Sequence, residues 1–137
     1  MNVQKLTQKS MEAVQLAQNI AEEHDNQQIE QCHVLLAMMM QDGGLVPQLL
    51  TKMGVTAESV TAAAKDLVSR LPAVTGSGRE AGKVYIAADV DKALNRAEAV
   101  ASSMKDEYVS VEHLLLALVE TANSGLKDLF RTYNITK

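Results

Sequence analysis

Residues 109–120 read VSVEHLLLALVE, and residues 29–40 read IEQCHVLLAMMM. His33, Leu35, Leu36 and Ala37 of the earlier stretch stand 80 positions before His113, Leu115, Leu116 and Ala117. Carried outward, the same offset aligns residues 5–57 with 85–137 without a gap. It also matches Ala13, Ala17, Ala21, Leu49 and Thr56 to Ala93, Ala97, Ala101, Leu129 and Thr136. Self-similarity at one fixed offset marks a repeated supersecondary block. The chain is therefore predicted to be all-α, with two repeats of about four helices each.

Each repeat opens with a long helix. In the second, Val90, Ala93, Leu94, Ala97, Val100, Ala101 and Met104 fall at three-and-four spacing and define one apolar face. Ala13, Val14, Ala17, Ile20 and Ala21 do so in the first. An alanine every fourth residue leaves a shallow surface, on which a neighbouring helix packs at the close end of the usual ~8–10 Å separation. Asp89 and Asp91 suit the first turn of the second long helix, at the positive end of its dipole. After a polar turn, HDNQQ or KDEY, comes the short helix quoted above, apolar almost all round and so predicted to be central and buried. A third helix is expected near 46–53 and 125–133. Thr56 then suits an N-cap, and the helix after it places Val60, Ala63, Ala64, Leu67, Val68 and Leu71 on one stripe. The boundaries are a single domain, 1–137, with repeat one at 5–71, a linker at 72–84 (PAVTGSGREAG and its flank) and repeat two at 85–137. Thr136 corresponds to Thr56, so the last helix of repeat two is expected to be truncated, as in a piece of a longer polypeptide.

The composition narrows the function. With 47% apolar and 22% charged residues, the chain is an ordinary soluble domain, and 137 residues bury roughly two-thirds of the unfolded chain's surface. A net charge of −4 argues against nucleic acid, which requires clustered Lys and Arg. Cys32 is the lone cysteine, so a reducing compartment, the cytosol, is expected. The opening MNVQKLTQKS lacks the apolar stretch of a secretion signal. The longest apolar run, Val34 to Met40, is far short of the roughly 20 residues that cross a bilayer.

Several residues invite chemistry. Glu112–His113 reads first as a helix start, with Ser110 as N-cap, Glu112 facing the dipole, and His113, like His33, satisfying a backbone group. Catalysis by either histidine requires a nucleophile or a partner base, and none is nominated. Glu30 and His33 form E-x-x-H, the half-motif of a di-iron bundle, but Ser110 stands where the second glutamate belongs. His24 sits in a turn without ligand spacing. GSGREAGKV in the linker has five or three residues, not four, before Gly82–Lys83, and Val84 follows, so no phosphate loop is expected. In AMMM, Met38 and Met39 are assigned to the core, while Met40, opposite Glu120 in the repeat, is expected at the surface.

KLTQKSMEAV, HDNQQIEQCHVLLAMMMQDGG and RLPAVTGSG, with the doubled H-x-L-L-A unit, resemble the Clp N-terminal repeat domain that precedes the ATPase rings of Clp chaperones. Within that family they are most like the ClpB-type disaggregases. The resemblance covers the whole chain and implies two four-helix repeats about a pseudo-twofold axis. It implies a substrate-facing domain of a hexameric, ATP-driven machine that threads aggregated protein and works with a DnaK-type chaperone system. No cofactor belongs to the domain itself, since ATP is held by the ATPase rings; the domain alone is expected to be a monomer. Client contact in the family is associated with a threonine opening the first helix and two acids flanking the start of the sixth. The matching positions here are Thr7, Asp106 and Glu112. Glu30-Gln31-Cys32 departs from the family pattern, where many relatives carry a proline before the histidine.

The repeat bears on these three positions separately. Asp106 has Asn26 as its counterpart and Glu112 has Cys32, so both acids occur in one copy only. Each residue also has an architectural reading: Thr7 as N-cap, Glu112 as dipole partner, Asp106 as turn former. Carboxylates beside exposed apolar side chains would favour clients presenting basic and hydrophobic residues. The leading expectation is a client-binding domain of a disaggregase. The alternative on the same fold is adaptor docking, as in the ClpA and ClpC types, and the alternative of another class is a small helical metalloenzyme.

Overall fold

In a computed structural model, residues 3–41, 44–73 and 85–135 are described. The alanine-spaced stretch of repeat one folds as α1 (Gln8–Glu23), with Ala13, Ala17 and Ala21 wholly buried. The chain continues through α2 (Gln31–Met40), α3 (Leu45–Lys52) and α4 (Ala57–Ser69). Repeat two supplies α5 (Ala88–Ser103), α6 (Val111–Thr121) and α7 (Ser124–Thr132). The fold is all-α, as expected. Among the described residues no helix is long and apolar enough to cross a membrane.

The duplication extends to the backbone. Both ends of α1 and α5 stand 80 residues apart. So do the left-handed residues that end corresponding helices: Asp25 (φ 58°) with Lys105 (φ 61°), and Gly54 (φ 82°) with Asn134 (φ 56°). A left-handed residue closes a helix by turning the chain so that later amides reach its last carbonyls. Accordingly Asn26 N–H donates to Ala21 O at 2.9 Å, and Asp106 N–H to Ala101 O at 2.8 Å.

Two short parallel pairings escape any reading of helical periodicity. Strand β1 (Gln28–Ile29) of repeat one pairs with β2 (Tyr85–Ile86) of repeat two, in the register Ile29–Ile86. Reciprocally, Leu6 of repeat one pairs with Val109 of repeat two. Each repeat thus lends its leading residues to the other, the exchange that a local twofold axis produces. A buried polar hub reinforces the join. The Gln31 amide donates to Asp89 O and Thr121 O, both at 3.1 Å, and its oxygen accepts from Asn123 N–H at 2.8 Å. One side chain therefore ties α2 to the starts of α5 and α7 and the end of α6.

The core is aliphatic and centred on α2, whose residues from Gln31 to Met39 are all buried. Leu35 and Met38 are wholly enclosed, each worth about 1.5–3 kcal/mol of burial. α4 covers α2 with Val60, Ala64 and Val68. Met40 is exposed, as its repeat partner suggests.

Three expectations need correction. α6 is buried on one side only: Leu116 and Val119 are half-buried, whereas their counterparts Leu36 and Met39 are enclosed. Met104 caps the end of α5 and is exposed, because the helix terminates before its turn reaches the core. α7 begins at Ser124, with Asn123 as N-cap, its Oδ1 accepting from Leu126 N–H at 3.1 Å. Thr136, assigned to a truncated final helix, and linker residues 74–84, including the glycine-rich stretch, lie outside the described residues.

Candidate functional site

The turn from α5 to α6 is fixed from both sides. Behind it, the left-handed Lys105 ends α5. In front, Val109 is stitched to the first residues of the chain: its N–H donates to Lys5 O at 2.7 Å, and its carbonyl accepts from Thr7 N–H at 3.0 Å. The Ser10 hydroxyl donates to the same carbonyl at 2.8 Å. Thr7 is the N-cap of α1, its Oγ1 accepting from Ser10 N–H at 3.2 Å and donating to Ser10 Oγ at 3.0 Å. Thr7 is thus bonded to Val109, which lies three residues after Asp106 and three before Glu112 in the chain.

His113 organises the turn from inside. Its Nδ1 accepts the Ser110 backbone N–H at 2.9 Å, which leaves the ring proton on Nε2. That proton is donated to Asp106 Oδ2, also at 2.9 Å. Repeat one has the same pattern: His33 Nδ1 accepts from Glu30 N–H at 2.8 Å, and Nε2 donates to Asn26 Oδ1 at 2.9 Å. Both imidazoles satisfy a backbone group, as expected. With both ring nitrogens of His33 engaged, the imidazole offers no lone pair to a metal, and Glu30-x-x-His33 serves as a helix cap. Burial, with His24 nearby, holds His33 down at about 4. Burial also pushes the Cys32 thiol up to about 12, an inert side chain at neutral pH.

An open depression of about 490 Å³ lies against the α5–α6 turn, lined by Met104, Asp106, Glu107, Tyr108, Glu112 and Leu116 among others. Among the described residues its lining supplies three carboxylates and no Lys or Arg. Met104 and Tyr108 are exposed large apolar side chains. Across Glu112 and Leu116 it meets a second, mostly apolar depression of about 340 Å³, with Leu49, Met53, Val119 and Ile135 in its wall. Asp106 and Glu112 are therefore brought into one site. Thr7 lines neither depression; its backbone N–H and its bond to Ser10 connect it to Val109 in the turn.

Sequence reasoning missed Met104, Glu107, Tyr108 and Leu116. The signal was present for three of them. Met104, Glu107 and Tyr108 stand where repeat one has polar His24, Gln27 and Gln28, so these three positions are apolar or acidic in repeat two alone.

The chemistry available is recognition. A depression lined by carboxylates and apolar side chains can hold an extended, donor-bearing chain. Comparison with known proteins bears on what that chain is. The family model described as "Clp repeat (R) N-terminal domain" matches residues 5–133. The chaperone protein ClpB of Bacillus cereus is 37% identical over all 137 residues, of which this chain spans only 16% of its length. Among solved structures, the Hsp104 N-terminal domain from Candida albicans superimposes with a TM-score of 0.82 at 19% identity, covering 96% of this chain and 83% of that one. A ClpV N-domain in complex with a VipB peptide has a TM-score of 0.73 at 17% identity, with 96% and 81% covered.

Proposed function

Because the chain belongs to the Clp repeat N-terminal domain family, we propose that it recruits unfolded or aggregated client proteins for an ATP-driven, ClpB-type disaggregase. The observation that carries this reading is the difference between the two repeats. Repeat one carries His24, Asn26, Gln28 and a buried Cys32 where repeat two carries Met104, Asp106, Tyr108 and Glu112. These four residues of repeat two line one depression, with Met104 and Tyr108 exposed. The second copy thus gathers acids and exposed apolar side chains that the first copy does not have. Opposite charges steer an unfolded segment to such a depression, and apolar contact retains it.

The similarity to ClpB over the full chain supports the choice of parent, and the ClpV N-domain–VipB peptide complex supports peptide binding by this fold. The reading brings with it a cytosolic hexamer whose ATPase domains hold the nucleotide and which works with a DnaK-type chaperone system. The domain itself is a monomer that holds no cofactor. Asp106 and Glu112 meet the client directly, and Thr7 maintains the register of the α5–α6 turn through Ser10 and Val109.

Titration of a labelled, permanently unfolded protein into the domain tests this. Weak, saturable binding is expected, reduced about fivefold or more in Asp106→Ala and Glu112→Ala, the scale of one charge-assisted contact. A smaller loss is expected in Thr7→Ala. Equal binding by all four proteins removes the assigned site. The adaptor-docking alternative, favoured by the dedicated peptide of the ClpV complex, predicts tight binding to one sequence and none to unrelated unfolded chains.

A further inference from the structure

The two repeats are joined twice, by matching pairings, and the two joins differ in charge. At β1–β2, Tyr85 N–H donates to Gln27 O at 3.0 Å and Ala87 N–H to Ile29 O at 3.1 Å. At the Leu6–Val109 bridge, Thr7 N–H donates to Val109 O and Val109 N–H to Lys5 O. Just past the first pairing stand Glu30, ahead of α2, and Asp89, in the first turn of α5. The matching positions past the second, 80 residues away, are Ser110 and Lys9. Lys9 pairs there with Glu12 along α1. Two like charges therefore sit at one join and not at the other.

The acid pair is poorly compensated. Asp89 Oδ2 accepts from the Asn123 side chain at 3.0 Å, but Asp89 Oδ1 is buried and receives no hydrogen bond among the described residues. The groups around the pair are uncharged. They are Gln31, the Cys32 thiol and the neutral His33 ring on α2, Asn26, Gln28 and Pro72 beside Glu30, and Thr121 and Asn123 after α6. On α5 itself Asp91 and Lys92 are exposed, and near the end of α6 Glu120 is bonded to Arg96. No Lys or Arg among the described residues forms an ion pair with Glu30 or Asp89. Burial, and then the Asp89 charge, push Glu30 above the ordinary carboxylate range. A buried acceptor without a donor costs stability. One proton removes that cost and the like-charge repulsion together.

We propose that the β1–β2 join is a proton-operated latch between the repeats: Glu30 takes a proton from solvent and donates it to Asp89 Oδ1, which tightens this join in acid and leaves the Leu6–Val109 join as it is. The folded state holds that proton more tightly than the unfolded chain does. The tightening is therefore complete below the ordinary glutamate value of 4.5 and is lost as pH rises through the raised one. His33 acts in the opposite direction and elsewhere, at the cap of α2. Client binding plays no part in the latch.

Amide hydrogen exchange at pH 7 and pH 4.5, expressed as protection over the intrinsic rate at each pH, reads the two joins side by side. The ratio of protection at Tyr85 and Ala87 to that at Thr7 and Val109 is expected to rise about fivefold or more in acid, the scale of one hydrogen bond. Opening of the whole domain affects both joins alike and divides out of this ratio. Glu30→Gln carries a donor at every pH, so its ratio should already be high at pH 7 and change less than about twofold. Asp89→Asn should bring the titration of the Glu30 carboxyl resonance down toward the ordinary range. A level ratio in wild type, or the same rise in Glu30→Gln, would overturn the latch. So would a Glu30 titration that Asp89→Asn leaves in place, and these last two wild-type and Asp89→Asn readings decide the matter if Glu30→Gln does not fold.

Discussion

His33 and His113 make the same two bonds from the same place in two copies of one unit, but only the partner of His113 carries charge. A neutral imidazole suffices for the cap, so the fold gains from keeping His33 unprotonated. Its pKa falls from an ordinary 6.5 to about 4 on folding, through burial and then the nearby His24. The unfolded chain therefore binds the extra proton first as pH drops. His33 contributes its full stability above about pH 6.5 and loses it as pH falls toward 4, a change of at most about 3 kcal/mol. Glu30, raised by burial and by Asp89, acts in the opposite sense and offsets part of this. Urea unfolding at pH 7 and pH 4.5 is expected to show a larger drop for wild type than for His33→Gln; equal drops would remove His33 from the titration. Asn26→Asp should cost about 1–3 kcal/mol at neutral pH, since it sets a carboxylate against the Pro72 carbonyl. An unchanged urea midpoint would contradict that. At this scale the capping histidines were legible because the repeat displayed them twice. The Asp106–His113 bond was not, since it spans seven residues across a turn whose path depends on the left-handed Lys105 and on distant Lys5 and Thr7.

The same leucines and valines read alike in α2 and α6, but their burial differs. Leu36 is enclosed, with α4 packed on α2, whereas Leu116 is half-buried at a depression that Leu49 of α3 also lines. Leu36→Asn should therefore cost on the order of 3 kcal/mol or more, and Leu116→Asn about 1 kcal/mol or less, in urea unfolding of the two variants. Comparable losses would mean that both faces are closed. A second contrast separates the left-handed pair: Gly54→Ala should destabilise by about 1 kcal/mol, while Asn134→Gly should be neutral or slightly stabilising. Helix existence and order were readable from spacing, because each helix carries its own apolar face. Coverage was not, because it is set by non-local packing. The two-residue β1–β2 pair and the single Leu6–Val109 bridge gave no periodic signal at all.

Across the whole molecule, one folding unit has been used twice about a local twofold, and the copies have diverged where they meet solvent. Repeat one packs α4 against α2 and bonds the Asn26 amide to the Pro72 carbonyl. Repeat two has an acid where repeat one has an amide, an acid where it has a buried thiol, and exposed Met104 and Tyr108 where it has His24 and Gln28. The family resemblance supplied the function class, and the repeat comparison picked out the two acids as features of one copy. The most direct test is a residue-by-residue amide chemical-shift map of the domain during titration with a permanently unfolded protein. Perturbations should concentrate on residues 104–116 and leave their repeat-one counterparts, 24–36, unmoved. Perturbations spread equally over both copies, or confined to the first, would contradict the assignment of recognition to the second.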